Sequence, residues 1–573
     1  MASKTFERYK KKFNRPKPFL WQKWLFYLAL GIIPPVLAAV PVEAAEKILI
    51  NYKSALVSIE VDSLETFAVE GTINRELEPY AKEFDSKTLA EFRQVLIKRQ
   101  NANPVQLYRF LRTPMGEEIL TQVGNIFNLP GGRNGKYAIR AAIVKAAFDE
   151  SEGLTLLNFL RQFSTDIEVR ADRLLKLANL VEILLEETDE MVAKIAKLSL
   201  TEAASSTRVN FATLRDLRVN SDRGWNKQTI TLRDKSRQRN FQVDLYKPKK
   251  WRAGKTPVVV ASHGLGSDRD YFEKRAQHLA SYGYVVAVPQ HPGSDSNQFQ
   301  DMLQGYSREV FKLKEFIDRP LDISYVLDEL ERRNDTEFEG KLDLKEVGVI
   351  GHSFGGYTAL ALAGAEIDFE QLETDCNRPV WEPNFSLLVQ CRALKLPRQT
   401  YNFRDRRVKA VMALNPLNSS LFGAEGLSKI QIPVFLGAGS DDPATPAAIE
   451  QIRSFTWLKS PDKYLALIEG QAHIDISQLR GIVSEFVESL SDATVREREL
   501  IPQYTNAMVL AFFEYYVAKN PDYFPYLQAS YAKYISQEPF NIYLVKSSSS
   551  ALILEEAVEE FKDLERLDEI DGR

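Results

Sequence analysis

Three residues far apart in the chain have the types needed for nucleophilic chemistry. Ser353 lies in "VGVIGHSFGGYTALALAGA" (347–365), a serine flanked by glycines after a β-branched run. A serine hydroxyl is a weak nucleophile and needs a base to take its proton. His473, in "EGQAHID", follows the last long apolar run and offers an imidazole. That imidazole needs a carboxylate to orient it and to stabilise its positive charge. "GAGSDDPATP" supplies Asp441 and Asp442 between the serine and the histidine. Asp442, which precedes Pro443 and opens a turn, is preferred, with Asp441 its rival. Asp475 is too close to His473 in sequence to be favoured. The attacked carbonyl oxygen gains negative charge, which backbone N–H groups must meet. Phe354, just after the serine, is expected to give one N–H. Leu265, in "SHGLG" (262–266), is expected to give the other, with Gly264 and Gly266 letting the backbone turn.

The other four histidines fit the base role less well. His352 adjoins the serine, so its side chain should point elsewhere. His263 belongs to the "SHGLG" turn and His278 to a helical pattern. His291 ends an apolar run and could line a pocket, but it precedes the serine.

A G-x-S-x-G pattern alone is weak, so the surrounding elements carry the case. "TPVVVAS", "YVVAVPQ", "EVGVIG", "VKAVMAL", "PVFLGAG" and "YLALIEG" are apolar runs bounded by turn residues. Such runs suit strands buried on both faces of a mostly parallel sheet. "NFATL" and "RNFQVDLYK" are read as earlier strands. Helical patterns lie between the runs; in "LDISYVLDELERR", Ile323, Val326, Leu327 and Leu330 share a face. The alternation predicts a doubly wound α/β domain over 205–545. In such sheets active sites form at the carboxyl ends of the strands, and Ser353 falls between a strand and a helix there. That is the context of a nucleophile elbow.

The 573 residues are too many for one core. Residues 46–70 alternate like a hairpin, and 86–198 read as helical. Residues 45–200 are therefore expected to form a small, mostly helical domain with no catalytic constellation. "GNIFNLPGGRNGK" lacks the spacing of a phosphate loop. "TEAASST" (201–207) reads as a linker. "SSSS" (547–550) is read as detaching an acidic, peripheral C-terminal helix, 551–573. The aromatic run "AFFEYYVAKNPDYFPYL" reads as a helix packed on the sheet, with contact to a membrane surface as the alternative.

Lys10, Lys11, Lys12, Arg15, Lys17 and Lys23 precede the apolar run 24–40, and Val42 and Ala44 stand before a cleavage point. Residues 1–44 are expected to be a cleavable export signal. The alternative is an uncleaved anchor. Both place the rest outside the cytoplasm. There Cys376 and Cys391 are expected to pair, with loop closure worth about 3 kcal/mol, the alternative being two unpaired buried thiols. The net charge of −4 gives no electrostatic reason to expect nucleic acid. No Cys/His cluster has metal-ligand spacing, and no metal or organic cofactor is expected.

At "SHGLG" and "GHSFGG" the chain resembles the plasma-type platelet-activating-factor acetylhydrolases of the α/β-hydrolase superfamily. The stretch from "PVVVASHGLG" through "ASYGYVVAV" to "GHSFGGYTAL" is similar in order and spacing. The resemblance implies Ser353 as nucleophile, His473 as base, and Leu265 and Phe354 as oxyanion donors. In the animal enzymes the acid follows the strand after the nucleophile helix. Here "VMALNPLN" has Asn415 near that place, and an amide supplies no charge. The role must move to the next strand, at Asp442, where many bacterial α/β-hydrolases keep it. The whole chain is similar to a bacterial, mainly cyanobacterial, group that joins an N-terminal module of unknown function to such a hydrolase domain. The expected activity is hydrolysis of short-chain or lipid-like carboxylic esters through an acyl-enzyme. A peptidase, thioesterase, polyester hydrolase or acyltransferase on the same triad, or a non-catalytic binding protein, are the alternatives. Residues 381–397 read equally as a lid or as a structural excursion.

Overall fold

The computed structural model of the protein describes residues 45–52, 55–378, 384–473 and 491–571. The expected export signal, 1–44, lies outside the described residues, as do Asp475 and the start of the stretch 381–397. The chain divides into two compact units, residues 1–178 with 303–308, and residues 179–302 with 309–573.

In the first unit, β1 (Lys47–Tyr52) and β2 (Ala55–Glu60) form the expected antiparallel hairpin. The pattern turns helical at Val61, and the helix Val61–Glu70 buries Val61, Leu64, Phe67 and Ala68 along one face. Three short strands escaped the sequence reading: β3 (Phe127–Leu129), β4 (Arg133–Asn134) and β5 (Ile167–Arg170). The sheet order is β2-β1-β5-β3-β4, with β1 and β5 parallel. Leu120, Ile139, Ala142, Phe163 and Ile167 are central to its core.

The division near residue 178 falls inside a helix rather than at a linker. The stretch read as a linker is helical through Ser205, at the end of a helix Ala171–Ser205. Its many apolar residues at helical spacing continue past residue 178, so the chain does not break there.

The second unit holds a nine-stranded sheet. Its strands are β6 (Trp225–Asp234), β7 (Arg239–Pro248), β8 (Thr256–Ser262), β9 (Val285–Pro289), β10 (Leu342–His352), β11 (Val408–Leu414), β12 (Val434–Gly439), β13 (Lys463–Ile468) and β14 (Ile542–Val545). Their order is β14-β13-β12-β11-β10-β8-β9-β7-β6. The six strands from β9 to β13 in that order run parallel. The remaining strands join antiparallel at the two edges. Val258, Val259 and Val260 of β8 are fully buried, each contributing about 1.5–3 kcal/mol of hydrophobic free energy. Helix α1 (Glu315–Glu337) packs with Ile323, Val326, Leu327 and Leu330 buried, as the spacing predicts. Tyr504, Met508 and Phe512 of the helix Ser491–Tyr516 enter the core with Met412, Phe435 and Tyr464. The aromatic run is thus largely core. Among the described residues no helix is long and apolar enough to cross a membrane.

Two further expectations need correction. "NFATL" is a short 3-10 turn, Phe211–Thr213, rather than a strand; Phe211 fills a ring cluster with Tyr526 and Tyr531 instead of joining the sheet. "SSSS" does not detach the last helix. Ser547 caps it, its Oγ accepting the Ser550 N–H at 3.0 Å. The helix, Ser548–Asp571, then buries Leu554, Ala557 and Val558. Cys376 and Cys391 form the expected disulfide.

Candidate active site

Strand β10 ends at His352, and helix α2 (Phe354–Ala363) begins two residues later. Ser353 makes the turn between them with φ 55° and ψ −118°. A non-glycine residue at positive φ costs about 1–3 kcal/mol and persists only where its surroundings enforce it. Two glycines explain how such a tight turn packs. A Cβ on Gly351 would lie 1.9 Å from the Gly355 oxygen, and one on Gly355 would lie 1.9 Å from the Ser262 oxygen. Neither position has room for a side chain. The Ser353 N–H donates to the Leu414 carbonyl at 2.9 Å, tying the turn to β11.

Four loops leave the carboxyl ends of parallel strands carrying the expected residues: Leu265 after β8, Ser353 after β10, Asp442 after β12 and His473 after β13. His473 Nδ1 lies 2.7 Å from Asp442 Oδ2. A carboxylate only accepts, so Nδ1 carries the proton and Nε2 is the ring's basic nitrogen. Asp441 does not reach the imidazole; its Oδ1 takes the Ser440 hydroxyl at 2.8 Å. Asp442 is buried with five donors. Oδ1 accepts the N–H groups of Ala444 and Thr445, both at 2.9 Å. Oδ2 accepts, besides His473, Asn415 Nδ2 and the Thr445 hydroxyl, each at 2.7 Å.

Asn415 and Thr445 were not singled out as partners of the acid. Thr445 could have been found, because an Asp three residues before a Thr in a turn can accept its N–H. Asn415 could not, since its contact joins two separate strands. Its own φ is 43°, a conformation asparagine tolerates better than most residues.

His352 makes its side-chain contacts with His473 and Tyr271. Its Nε2 donates to the His473 carbonyl at 2.9 Å. Its ring lies 4.9 Å from the His473 ring and 4.7 Å from that of Tyr271. Burial, with His473 and Arg275 nearby, holds its pKa well below the usual histidine range. His352 is therefore a neutral donor that anchors the His473 backbone.

The "SHGLG" loop lies against the serine: a Cβ on Gly264 would sit 3.4 Å from Ser353 Cβ. Among the described residues the N–H groups of Leu265 and Phe354 have no hydrogen-bond partner. The Phe354 N–H is one of the orphan donors at the start of a helix. No group of three or more His, Cys, Asp or Glu residues gathers as a metal site among the described residues.

A mostly parallel sheet that turns sharply through a serine into a helix, with later loops carrying an aspartate and a histidine, is the α/β-hydrolase fold. Comparison with known proteins agrees. Residues 44–170 match the family "Alpha/beta hydrolase of unknown function (DUF1400)" and residues 223–375 match the family "Chlorophyllase". The chain also resembles platelet-activating factor acetylhydrolase of Cavia porcellus, at 27% identity over 148 residues. That match covers 20% of this chain and 34% of the relative's length.

Proposed function

We propose that the protein is an exported serine hydrolase of carboxylic esters. The observation that carries this reading is the Asp442–His473 contact at 2.7 Å, together with a serine held at positive φ on the turn after β10. Ser353 Oγ attacks the ester carbonyl while His473 Nε2 takes its proton. Asp442 keeps the imidazole in the right tautomer and stabilises the imidazolium. The N–H groups of Leu265 and Phe354 receive the oxyanion. The tetrahedral intermediate collapses, His473 returns its proton to the departing alcohol, and an acyl-enzyme remains. A water molecule deprotonated by His473 then releases the acid and frees Ser353. These steps ask for no metal or organic cofactor.

Lipid-like esters are the favoured substrates, because the matches are named for a chlorophyllase and for a platelet-activating factor acetylhydrolase. The disulfide accords with an oxidising compartment. We place the protein outside the cytoplasm, either released or held at a membrane by residues 1–44. The test is turnover of a matched series of p-nitrophenyl esters, thioesters and peptide anilides. Ester hydrolysis that disappears in Ser353→Ala is the expected result. Preference for thioesters or peptides would overturn the substrate class, and equal turnover by Ser353→Ala would overturn the nucleophile.

A further inference from the structure

One buried cation has no part in those steps. Arg319, on α1, is fully buried, and a guanidinium removed from water must satisfy its N–H groups inside the protein. Nη1 donates to the His263 carbonyl at 2.6 Å, Nη2 to the Gly264 carbonyl at 3.2 Å, and Nε to Ser294 Oγ at 2.8 Å. Its Cζ also lies 4.5 Å from the centroid of the Phe354 ring. A single planar group therefore touches the two segments that supply the two unpartnered N–H groups.

The peptide geometry makes this contact directional. A trans peptide points its C=O and the following N–H in opposite directions. Holding the Gly264 oxygen thus fixes the aim of the Leu265 N–H. His263 holds the same oxygen, Nδ1 donating to it at 2.8 Å. Its Nε2 accepts the His291 N–H at 3.1 Å, so the tautomer is determined. His291 is set likewise, with Nδ1 donating to Asp322 Oδ2 at 2.9 Å and Nε2 accepting from Ser262 Oγ at 3.0 Å. Burial and the neighbouring arginines keep both rings well below the usual histidine pKa.

The charges around Arg319 are paired. Glu315 lies 3.8 Å from it, and Arg239 bridges Glu315 and Asp322 at 2.8 Å each. Burial lowers the Arg319 pKa to about 10, with Glu315 opposing the shift, so it stays cationic at neutral pH. Because the cluster offsets its own charge, its effect on the site is placement more than long-range field.

We propose that Arg319 is the positioning residue of the oxyanion hole. Its guanidinium, packed against the Phe354 ring, fixes the Gly264–Leu265 peptide, so the Leu265 N–H is aimed before substrate arrives. The inference rests on the ester hydrolase reading above.

The test compares wild type with Arg319→Lys in the full chain. Lysine keeps the charge but is a single point donor that does not span two carbonyls. The expected result is a kcat for p-nitrophenyl butyrate about 10- to 100-fold lower, with KM within about twofold. Affinity for a trifluoromethyl ketone, which forms the tetrahedral oxyanion, should fall by the same factor as kcat/KM. A merely structural arginine would lower the folded fraction and leave the ketone affinity of the remaining folded enzyme unchanged. That result, or an unchanged kcat, overturns the inference alone. If Arg319→Lys does not fold, Phe354→Leu, which removes the ring and keeps the N–H, must show the same parallel loss; its absence overturns the inference. A wild type that turns over no ester and takes no fluorophosphonate probe overturns the hydrolase reading and this inference together.

Discussion

The two sides of the site are built differently. The side proposed for acid–base chemistry consists of turns: Asp442 and Thr445 follow β12, and His473 follows β13. His473 is held at its ring Nδ1 by Asp442 and at its backbone carbonyl by His352, and its side chain keeps 12% of its exposure. On the side proposed for the oxyanion, Arg319, His263, His291 and Asp322 are all at 0% exposure and bond to the "SHGLG" loop or to one another. The difference matches the two tasks. A base must gain and lose a proton in each turnover, so it needs one fixed nitrogen and one accessible nitrogen. Oxyanion donors must not move at all, because their value lies in costing no reorganisation when charge develops.

The comparison breaks most severely at the acid. Asp442→Asn should lower kcat by about 10^3- to 10^4-fold, because the amide no longer fixes the tautomer or offsets the imidazolium charge. Asp441→Asn should stay within about twofold. Steady-state kinetics on one ester decides it, and a severe loss at Asp441 instead would reverse the assignment.

A smaller effect is expected at Asn415, which gives Asp442 one of its five donors. Asn415→Ala should reduce kcat by about three- to tenfold, in line with one charge-assisted hydrogen bond among several. No loss would mean that Thr445 and the backbone donors hold the carboxylate by themselves.

The buried histidines on both sides should also show in the pH dependence of stability. His263, His291 and His352 are held neutral by burial, and burial lowers His278 to about 4. A histidine whose folded pKa is depressed binds its proton more readily when unfolded. Native stability is therefore full above about pH 6.5 and falls as pH drops below it, by up to about 1.4 kcal/mol per pH unit for each group. Urea melts from pH 7.5 to 5 should show this steep loss, and His278→Gln should reduce the slope by one proton. Stability flat across that range would contradict the neutral, buried assignment.

Much of this arrangement was legible because it follows from local pattern. Strands β8 and β11 match the apolar runs "TPVVVAS" and "VKAVMAL" end to end. The elbow was readable because its glycines answer close contacts along a short stretch. The edges were harder. β6 has an exposed face and no continuous apolar run, and β14 is only four residues long. "NFATL" has strand-like composition but serves a tertiary ring cluster. Arg319 carries no sequence signal, since a charged residue in a helix most often faces water. The role proposed for it depends on two carbonyls more than fifty residues upstream.

The central claim is that Ser353, activated by His473 and Asp442, is the nucleophile. Fluorophosphonate labelling followed by peptide mass spectrometry tests it most directly. The account predicts one adduct on native protein, located on Ser353, absent in Ser353→Ala and formed far more slowly in Asp442→Asn. Native protein that takes no label, or a Ser353→Ala variant that labels as fast as wild type, would contradict it.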